Sequence, residues 1–210
     1  MVDKNHYGRP WYPTIGTIII PDENILPLTV NQTTLKNGYS YPNNAIEPYL
    51  MRKLENIPFE ELTIGTKASL TRTLTEEDLL LFAKVSGDTN PVHLDEEFAA
   101  TTQFEGRIAH GMWTASIISC ALATKLPGPG GIYLGQELKF MRPVKVGDTV
   151  TVELEILEIN EQRKRATVST NVVNQHGKAV VKGKAEIMPS SGKVVVDEYP
   201  LPEVVLKPAD

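Results

Sequence analysis

Alternating apolar and polar residues predict β-strands along much of the chain. Residues 68–74 follow this two-residue period, which is typical of a strand with one buried face. The same period returns at 150–156 and 168–172, and two further apolar-rich segments, 132–140 and 178–188, also read as strands. Turns are expected at Gly147-Asp148 and at 174–177, a hairpin connection that ends in glycine. The second half of the chain is therefore predicted to form an antiparallel sheet.

A helix is predicted between the first strand and the rest of the sheet. Thr75 and Asp78 have the spacing of a capping box, with aspartate in place of the usual glutamate or glutamine. Leu79 and Phe82 fall on one helical face, and Gly87 stands where a glycine commonly ends a helix. Asp95 can cap a second, short helix that runs through residue 101.

Residues 111–124 contain no charged side chain and are small or apolar almost throughout. Such a run predicts a core helix that is buried on nearly every side, because no polar face is left for solvent. At 14 residues it is too short to span a membrane, and the proline and glycine residues of 127–131 end it. The simplest packing is an α+β arrangement in which an antiparallel sheet wraps around this buried central helix, a single hot-dog fold.

The two ends of the chain differ from this regular middle. Residues 1–50 hold six of the fifteen prolines and five of the seven tyrosines, and no helical period runs through them. We interpret them as an extended N-terminal arm that packs its aromatic side chains against another surface, the alternative being a disordered tail. Residues 191–210 are expected to form a C-terminal tail. The predicted hot-dog domain occupies residues 51–190.

Composition and charge narrow the classes of function. The 21 basic and 26 acidic residues give a formal net charge of −5, which argues against nucleic acid or an anionic membrane as the main partner. The single cysteine, Cys120, excludes an intrachain disulfide framework and a cysteine-rich zinc site. Neither a membrane span nor a signal peptide is expected, so we predict a cytoplasmic protein. Cys120 is expected to be buried and inert.

Asp88 and His93 are the first pair of residues with chemical potential. Pro91 disfavours a helical conformation at Asn90, so the segment between the two is expected to form a loop that can direct both side chains to one point. A carboxylate beside an imidazole can hold a water molecule and transfer protons near neutral pH. The residues alone leave the alternative open that Asp88 caps a turn and His93 is a packed core histidine.

A second candidate lies at the start of the charge-free helix. Gly111 would offer a free backbone N–H at the positive end of the helix dipole, and glycine lets a ligand approach closely. Such an N–H can polarise a carbonyl group as an oxyanion hole does. A glycine needed only for packing is the alternative. His110 is expected to be structural, and no metal site is predicted from His93 and His110 because no third ligand is evident.

Three motifs together resemble a known family. They are SGDTNPVHLD at 86–95, IAHGM at 108–112, and LPGPG at 126–130 followed by YLGQ at 133–136. In order and spacing they are similar to the MaoC-like (R)-specific enoyl-CoA hydratases, a group of hot-dog dehydratases. The similarity covers residues 60–188 and is especially close to the hydratase portion of proteins in which a hydratase is fused to a phosphate acetyltransferase. It does not extend over residues 1–50.

The resemblance implies a reaction and a set of site residues. The reaction is reversible addition of water to a trans-2-enoyl-CoA to give the (R)-3-hydroxyacyl-CoA. Asp88 and His93 match the catalytic pair, and Gly111 matches the glycine whose N–H forms the oxyanion hole. The residues expected to bind substrate are Ser119, Leu122 and Trp113. The resemblance also implies a homodimer or higher homo-oligomer, no metal and no cofactor, with coenzyme A entering as part of the substrate.

Other functions remain open from the sequence. A 3-hydroxyacyl-acyl-carrier-protein dehydratase would perform the same chemistry on another carrier. A hot-dog thioesterase is less favoured because the Asp88–His93 loop is intact. A subunit that binds an acyl thioester without catalysis is the alternative from another class, and the arm at 1–50 also leaves room for an interaction subunit of a larger assembly.

Overall fold

The computed structural model describes residues 32–34, 40–42, 52–202 and 204–207. The chain divides into two compact units, 1–48 and 49–210. In the first unit, strands β1 (Gln32–Thr34) and β2 (Ser40–Pro42) pair antiparallel. The aromatic side chains of the predicted N-terminal arm lie outside what the structure describes, so their packing stays a prediction.

A five-stranded antiparallel sheet forms the body of the second unit. Its strands are β4 (Lys67–Thr73), β5 (Ile132–Phe140), β6 (Thr149–Asn160), β7 (Arg165–Asn174) and β8 (Ala179–Met188), in the spatial order β4-β6-β7-β8-β5. All the strands predicted for this sheet are present. β6 continues beyond the predicted segment because the ladder with β7 shifts register between Ile156 and Glu158 and then resumes. Strands β4 and β5 form the two edges.

Helix α4 (Gly111–Thr124) packs against the inner face of the sheet and contacts both edge strands as well as β6. One helix can reach both edges only if the sheet curves around it, so the hot-dog architecture is confirmed. The fully buried side chains beneath it come from the inward positions of the strands and from the helix itself, among them Val150, Val152, Ile156, Val168 and Ile118. Burial of this apolar surface is the main source of the fold's stability.

The prediction that α4 is buried on nearly every side is wrong for the single chain. Met112, Ser116, Ser119, Cys120 and Ala123 lie on its exposed side. Cys120 is therefore a free, exposed thiol, not the buried one that we expected. Small uncharged residues give little contrast between the two faces of a helix, so the sequence could not distinguish core from an uncharged surface.

Three short helices carry the chain from β4 to α4. The first, α1 (Glu76–Ser86), begins with the predicted capping box and ends at Gly87, whose φ of 74° lies in the left-handed region. The second, α2 (Pro91–Leu94), corrects the prediction of a continuous loop through His93. Proline is well suited to the first position of a helix, where no N–H bond is required. The third, α3 (Glu96–Ala100), starts at the predicted cap, Asp95, which accepts a bond from the Phe98 N–H.

The segment predicted to be a C-terminal tail takes part in a second, small sheet. Strand β9 (Val195–Asp197) pairs antiparallel with β3 (Lys53–Glu55). Asn56, only 1% exposed, donates from its side chain to the Gly192 carbonyl at 2.9 Å and accepts from the Val194 N–H at 2.7 Å. These contacts join residues more than 130 positions apart, which no local pattern reveals. Among the described helices, none is both long and apolar enough to cross a membrane.

Candidate active site

Asp88 lies in the turn between α1 and α2, and the two oxygens of its carboxylate have different neighbours. The Asn90 N–H donates to Oδ1 at 3.1 Å, which closes the turn. The other oxygen, Oδ2, lies 3.9 Å from Nε2 of His93. The side chain of Asp88 is 50% exposed, whereas that of His93 is 10% exposed. Asp88 therefore caps a turn, as one interpretation of the sequence held, and still presents a free oxygen to His93.

The ring of His93 is held by the backbone of a distant residue. The Ile108 carbonyl oxygen lies 2.8 Å from Nδ1 and can only accept, so Nδ1 carries the proton of the neutral imidazole. The lone pair of Nε2 is then left facing Asp88. Ile108 is itself held by its N–H, which donates to the Val92 carbonyl at 3.3 Å.

Arg107, next to Ile108, fastens this segment to two helices. Its guanidinium group donates to Glu96 at 3.0 Å and to Glu76 at 2.6 Å, at the starts of α3 and α1. The pKa of Arg107 is raised, most by its hydrogen bond to Glu96 and next by its hydrogen bond to Glu76. Neither Ile108 nor Arg107 was identified as part of the site from the sequence, because their roles depend on contacts with residues 11 to 31 positions away.

The separation of Asp88 and His93 suits a shared water molecule. A direct hydrogen bond spans about 2.7–3.2 Å, so 3.9 Å between Oδ2 and Nε2 is too long for one. A water molecule placed beside the two atoms can bond to both at ordinary distances. Carboxylate and imidazole together can accept a proton from that water and return one to a bound ligand.

Gly111 is the first residue of α4, so its N–H has no partner within the helix and lies at the positive end of the helix dipole. The preceding residue, His110, stacks on the ring of His93 with 3.8 Å between ring centroids. The helix N-terminus therefore directly follows a residue that contacts His93. A β-carbon added at Gly111 would lie 3.1 Å from the Phe140 ring, so close packing, not a left-handed backbone, favours glycine there.

The ligating atoms of Asp88, His93 and His110 all lie within 4.8 Å of one another, so the structure supplies the third group that the sequence did not show. Their arrangement nevertheless fits a metal ion poorly. The two imidazole rings lie face to face with 29° between their planes, whereas the ligands of one ion direct their in-plane lone pairs at a common point. One nitrogen of each ring is already bonded to a backbone carbonyl oxygen.

An apolar groove of about 570 Å³ runs between α4 and the edge strand β5. Its lining comes from both elements and from α1: Phe82, Met112, Ala115, Ser116, Ser119, Tyr133, Leu134, Gly135, Gln136 and Leu138. Burial raises the pKa of Tyr133, whose hydroxyl donates to the side-chain oxygen of Gln136. Asp88 and His93 do not line the groove in the single chain. Phe82, which lies 5.1 Å from the ring of His110, and Met112, beside Gly111, connect the two regions.

The three predicted substrate-binding residues occupy different places. Ser119 lines the groove, and Trp113 lines a second cavity of about 700 Å³ on the α1 side of the helix. Leu122, 3% exposed, belongs to the hydrophobic core and lines neither cavity. Ser119 is thus the member of the set best placed for an acyl chain in this groove, and the binding roles stay predictions.

Comparison with known proteins gives concordant matches. The family described as MaoC like domain matches residues 60–178. The (R)-specific enoyl-CoA hydratase of Rhodospirillum rubrum is 47% identical over 130 residues, which cover 62% of this chain and 90% of that protein. The 3-hydroxybutyryl-CoA dehydratase of Methylorubrum extorquens is 43% identical over 120 residues, covering 57% and 76%. The solved structure of the R-hydratase PhaJ1 from Pseudomonas aeruginosa aligns with a TM-score of 0.72 and 54% identity, covering 74% of this chain and all of that one.

Proposed function

The chain belongs to the MaoC-like domain family, and from this premise we propose that it is an (R)-specific enoyl-CoA hydratase. It adds water to a trans-2-enoyl-CoA to give the (R)-3-hydroxyacyl-CoA, and the reverse dehydration uses the same site. The observation that carries the proposal is the Asp88–His93 pair, spaced for one water molecule beside a free helix N-terminus. The two relatives, named for a hydratase and for a CoA dehydratase, support the same reaction in its two directions.

In the proposed mechanism, Asp88 and His93 hold one water molecule between Oδ2 and Nε2. The water oxygen bonds to C3 of the enoyl group, one of its protons passes to the pair, and a proton from the pair is delivered to C2. The double bond is thereby consumed, and the pair returns to its starting protonation state. The two groups share one water molecule across a 3.9 Å gap, so the proton steps are assigned to the pair and not to one member.

Gly111 serves the carbonyl end of the reaction. Negative charge develops on the thioester oxygen as water adds to C3, and a fixed N–H donor lowers the energy of that charge. The N–H of Gly111 fits this role because it begins a 14-residue helix and is free of helical hydrogen bonding. The dipole of α4 adds to the stabilisation.

The acyl chain of the substrate occupies the groove between α4 and β5. A volume of about 570 Å³ with a mainly apolar lining is suited to a small acyl group, and it starts beside Met112 next to Gly111. Ser119 is a polar residue within it. It lies eight residues along α4 from Gly111, which is about 12 Å at 1.5 Å per residue, so it is placed to contact the acyl chain away from the thioester. Coenzyme A is part of the substrate, and the reaction uses no metal or redox cofactor.

A second copy of the chain completes the groove in this proposal. Strand β5 is an edge of the sheet, and large apolar side chains are exposed on or beside it: Ile132, Tyr133, Leu134, Phe140 and Met141. An open edge with exposed apolar residues favours pairing with another strand. Pairing of two β5 edges would extend the sheet across a homodimer and cover the exposed side of α4. We expect this dimer to act in the cytoplasm.

A hydration assay tests the proposal directly. The full chain is mixed with crotonyl-CoA and longer trans-2-enoyl-CoAs, and loss of the conjugated thioester absorbance is followed. We expect turnover and a product that an (R)-specific dehydrogenase accepts. Mainly (S) product would contradict the proposal. Turnover of the acyl-carrier-protein thioester alone would identify the dehydratase alternative, and binding without turnover would identify a non-catalytic acyl-thioester subunit.

A further inference from the structure

His110 is a buried histidine that the proposed chemistry leaves without a role. It is 2% exposed, and its ring contacts two others, those of His93 and Phe82. The sequence suggested only a structural residue before α4. In the structure, however, His110 contacts both members of the catalytic pair: it bonds to the backbone of Asp88 and stacks on the ring of His93.

One hydrogen bond defines the state of the His110 ring. Nε2 lies 3.0 Å from the backbone carbonyl oxygen of Asp88, which can only accept, so Nε2 carries the proton. Nδ1 is then an acceptor, and it is buried without a hydrogen-bond partner among the described residues. A buried acceptor without a donor is unfavourable, so this nitrogen costs stability that an apolar side chain of similar size would not lose.

We propose that His110 is a positioning residue that sets the distance between Asp88 and His93. Its Nε2–H holds the backbone of Asp88, and its face packs at 3.8 Å against the ring of His93. A single rigid side chain thus fixes both partners of the water site at once. The inference rests on the proposed hydratase function.

The geometry explains why both contacts are needed. The Ile108 carbonyl fixes one atom of the His93 ring but leaves the ring free to turn about that hydrogen bond. Stacking on His110 removes this rotation and keeps Nε2 directed at Asp88. The side chain of Asp88 is half exposed, and the backbone carbonyl of this residue is held by His110. Misplacement of a reacting group by about 1 Å can cost about 10²-fold in rate, so a residue without contact to substrate can control turnover.

Three substitutions of His110 separate the possible roles. His110→Leu removes the donor and the aromatic face, and we expect kcat to fall by about 10- to 10²-fold with little change in KM. Glutamine can place an amide N–H near the position of Nε2 but has no ring to stack on His93, so His110→Gln should recover only the part of the loss that comes from holding the Asp88 backbone. Asparagine places its amide near the position of Nδ1, and His110→Asn should not recover it. His176→Leu, in the exposed hairpin between β7 and β8, is the matched control and should leave kcat unchanged.

The outcomes distinguish this inference from the proposed function. Wild-type inactivity on every enoyl thioester would remove the proposed function. An active wild type whose His110→Leu variant keeps normal kcat would overturn the positioning role alone. Recovery by asparagine and not by glutamine would also overturn the positioning role, because Nδ1 would then be the atom that matters. A rise in KM at normal kcat would overturn it too.

A measurement on the wild-type protein tests the positioning role even if the leucine variant does not fold. A long-range ¹H–¹⁵N correlation spectrum reports which nitrogen of a neutral histidine carries the proton. We expect His110 to be the Nε2–H tautomer, as the bond to the Asp88 carbonyl requires. A spectrum of the Nδ1–H form would overturn the proposal whatever the kinetics of the variants.

Discussion

Replacing Asp88 with asparagine tests the proposed chemistry while changing the structure very little. The carboxamide oxygen of the new side chain can still accept from the Asn90 N–H, so the turn after α1 is kept. Its NH₂ group then takes the place of Oδ2 and faces Nε2 of His93 across the 3.9 Å gap. The water site thereby loses its carboxylate acceptor and gains a donor that competes with water for Nε2.

The size of the effect follows from these contacts. Removing one partner in general acid–base catalysis costs about 10²–10⁴ in kcat. At about 1.4 kcal/mol for each tenfold, this range is about 2.8–5.6 kcal/mol of lost transition-state stabilisation. The free energy of unfolding should change by less than about 0.5 kcal/mol, because the side chain is half exposed and its turn-closing bond is conserved.

The assay is hydration of crotonyl-CoA, with the unfolding midpoint measured on the same preparation. Asp95→Asn is the matched control, since it makes the same chemical change seven residues away and asparagine caps a helix as well as aspartate does. The double variant Asp88→Asn/His93→Ala should be little worse than the worse single variant if both groups act on one water. If kcat of Asp88→Asn stays within about threefold of wild type, the loss of transition-state stabilisation is less than about 1 kcal/mol. That result would refute the assignment of Asp88 to the catalytic pair.

Three further predictions follow from other parts of the structure. Gly111→Ala adds a methyl group 3.1 Å from the Phe140 ring, so kcat/KM should fall; a lower unfolding midpoint with unchanged kcat/KM would make the glycine a packing residue only. Ile132→Lys places a charge on the exposed edge strand and should convert a dimer to monomers in light scattering; a wild-type protein that is already monomeric would contradict the proposed pairing. Asn56→Ala removes two buried hydrogen bonds and should lower the free energy of unfolding in urea by about 1–3 kcal/mol without changing kcat, whereas an unchanged midpoint would show that β9 adds no stability.

Several features were predictable from the sequence because they depend on residues only a few positions apart. The two-residue period identified β4, β6 and β7, and apolar-rich segments identified β5 and β8. Thr75 with Asp78 identified the start of α1. The charge-free run ending in prolines and glycines identified α4 to the residue. Asp88 and His93 stand within one local motif, so their proximity could also be expected. Pro91 was read correctly as disfavouring a helical conformation at Asn90 but not as beginning a helix.

Only the tertiary structure decided how the site is held and which surfaces are exposed. The Ile108 carbonyl on His93, the stacking of His110, the Phe140 ring against Gly111 and the docking of β9 beside Asn56 all join residues that are distant in the chain. The exposure of Cys120 likewise depends on which side of α4 the sheet covers. Local patterns determine elements because they reflect backbone geometry within a few residues. The distance between two catalytic atoms depends on how separate elements pack, and packing is a property of the folded chain as a whole.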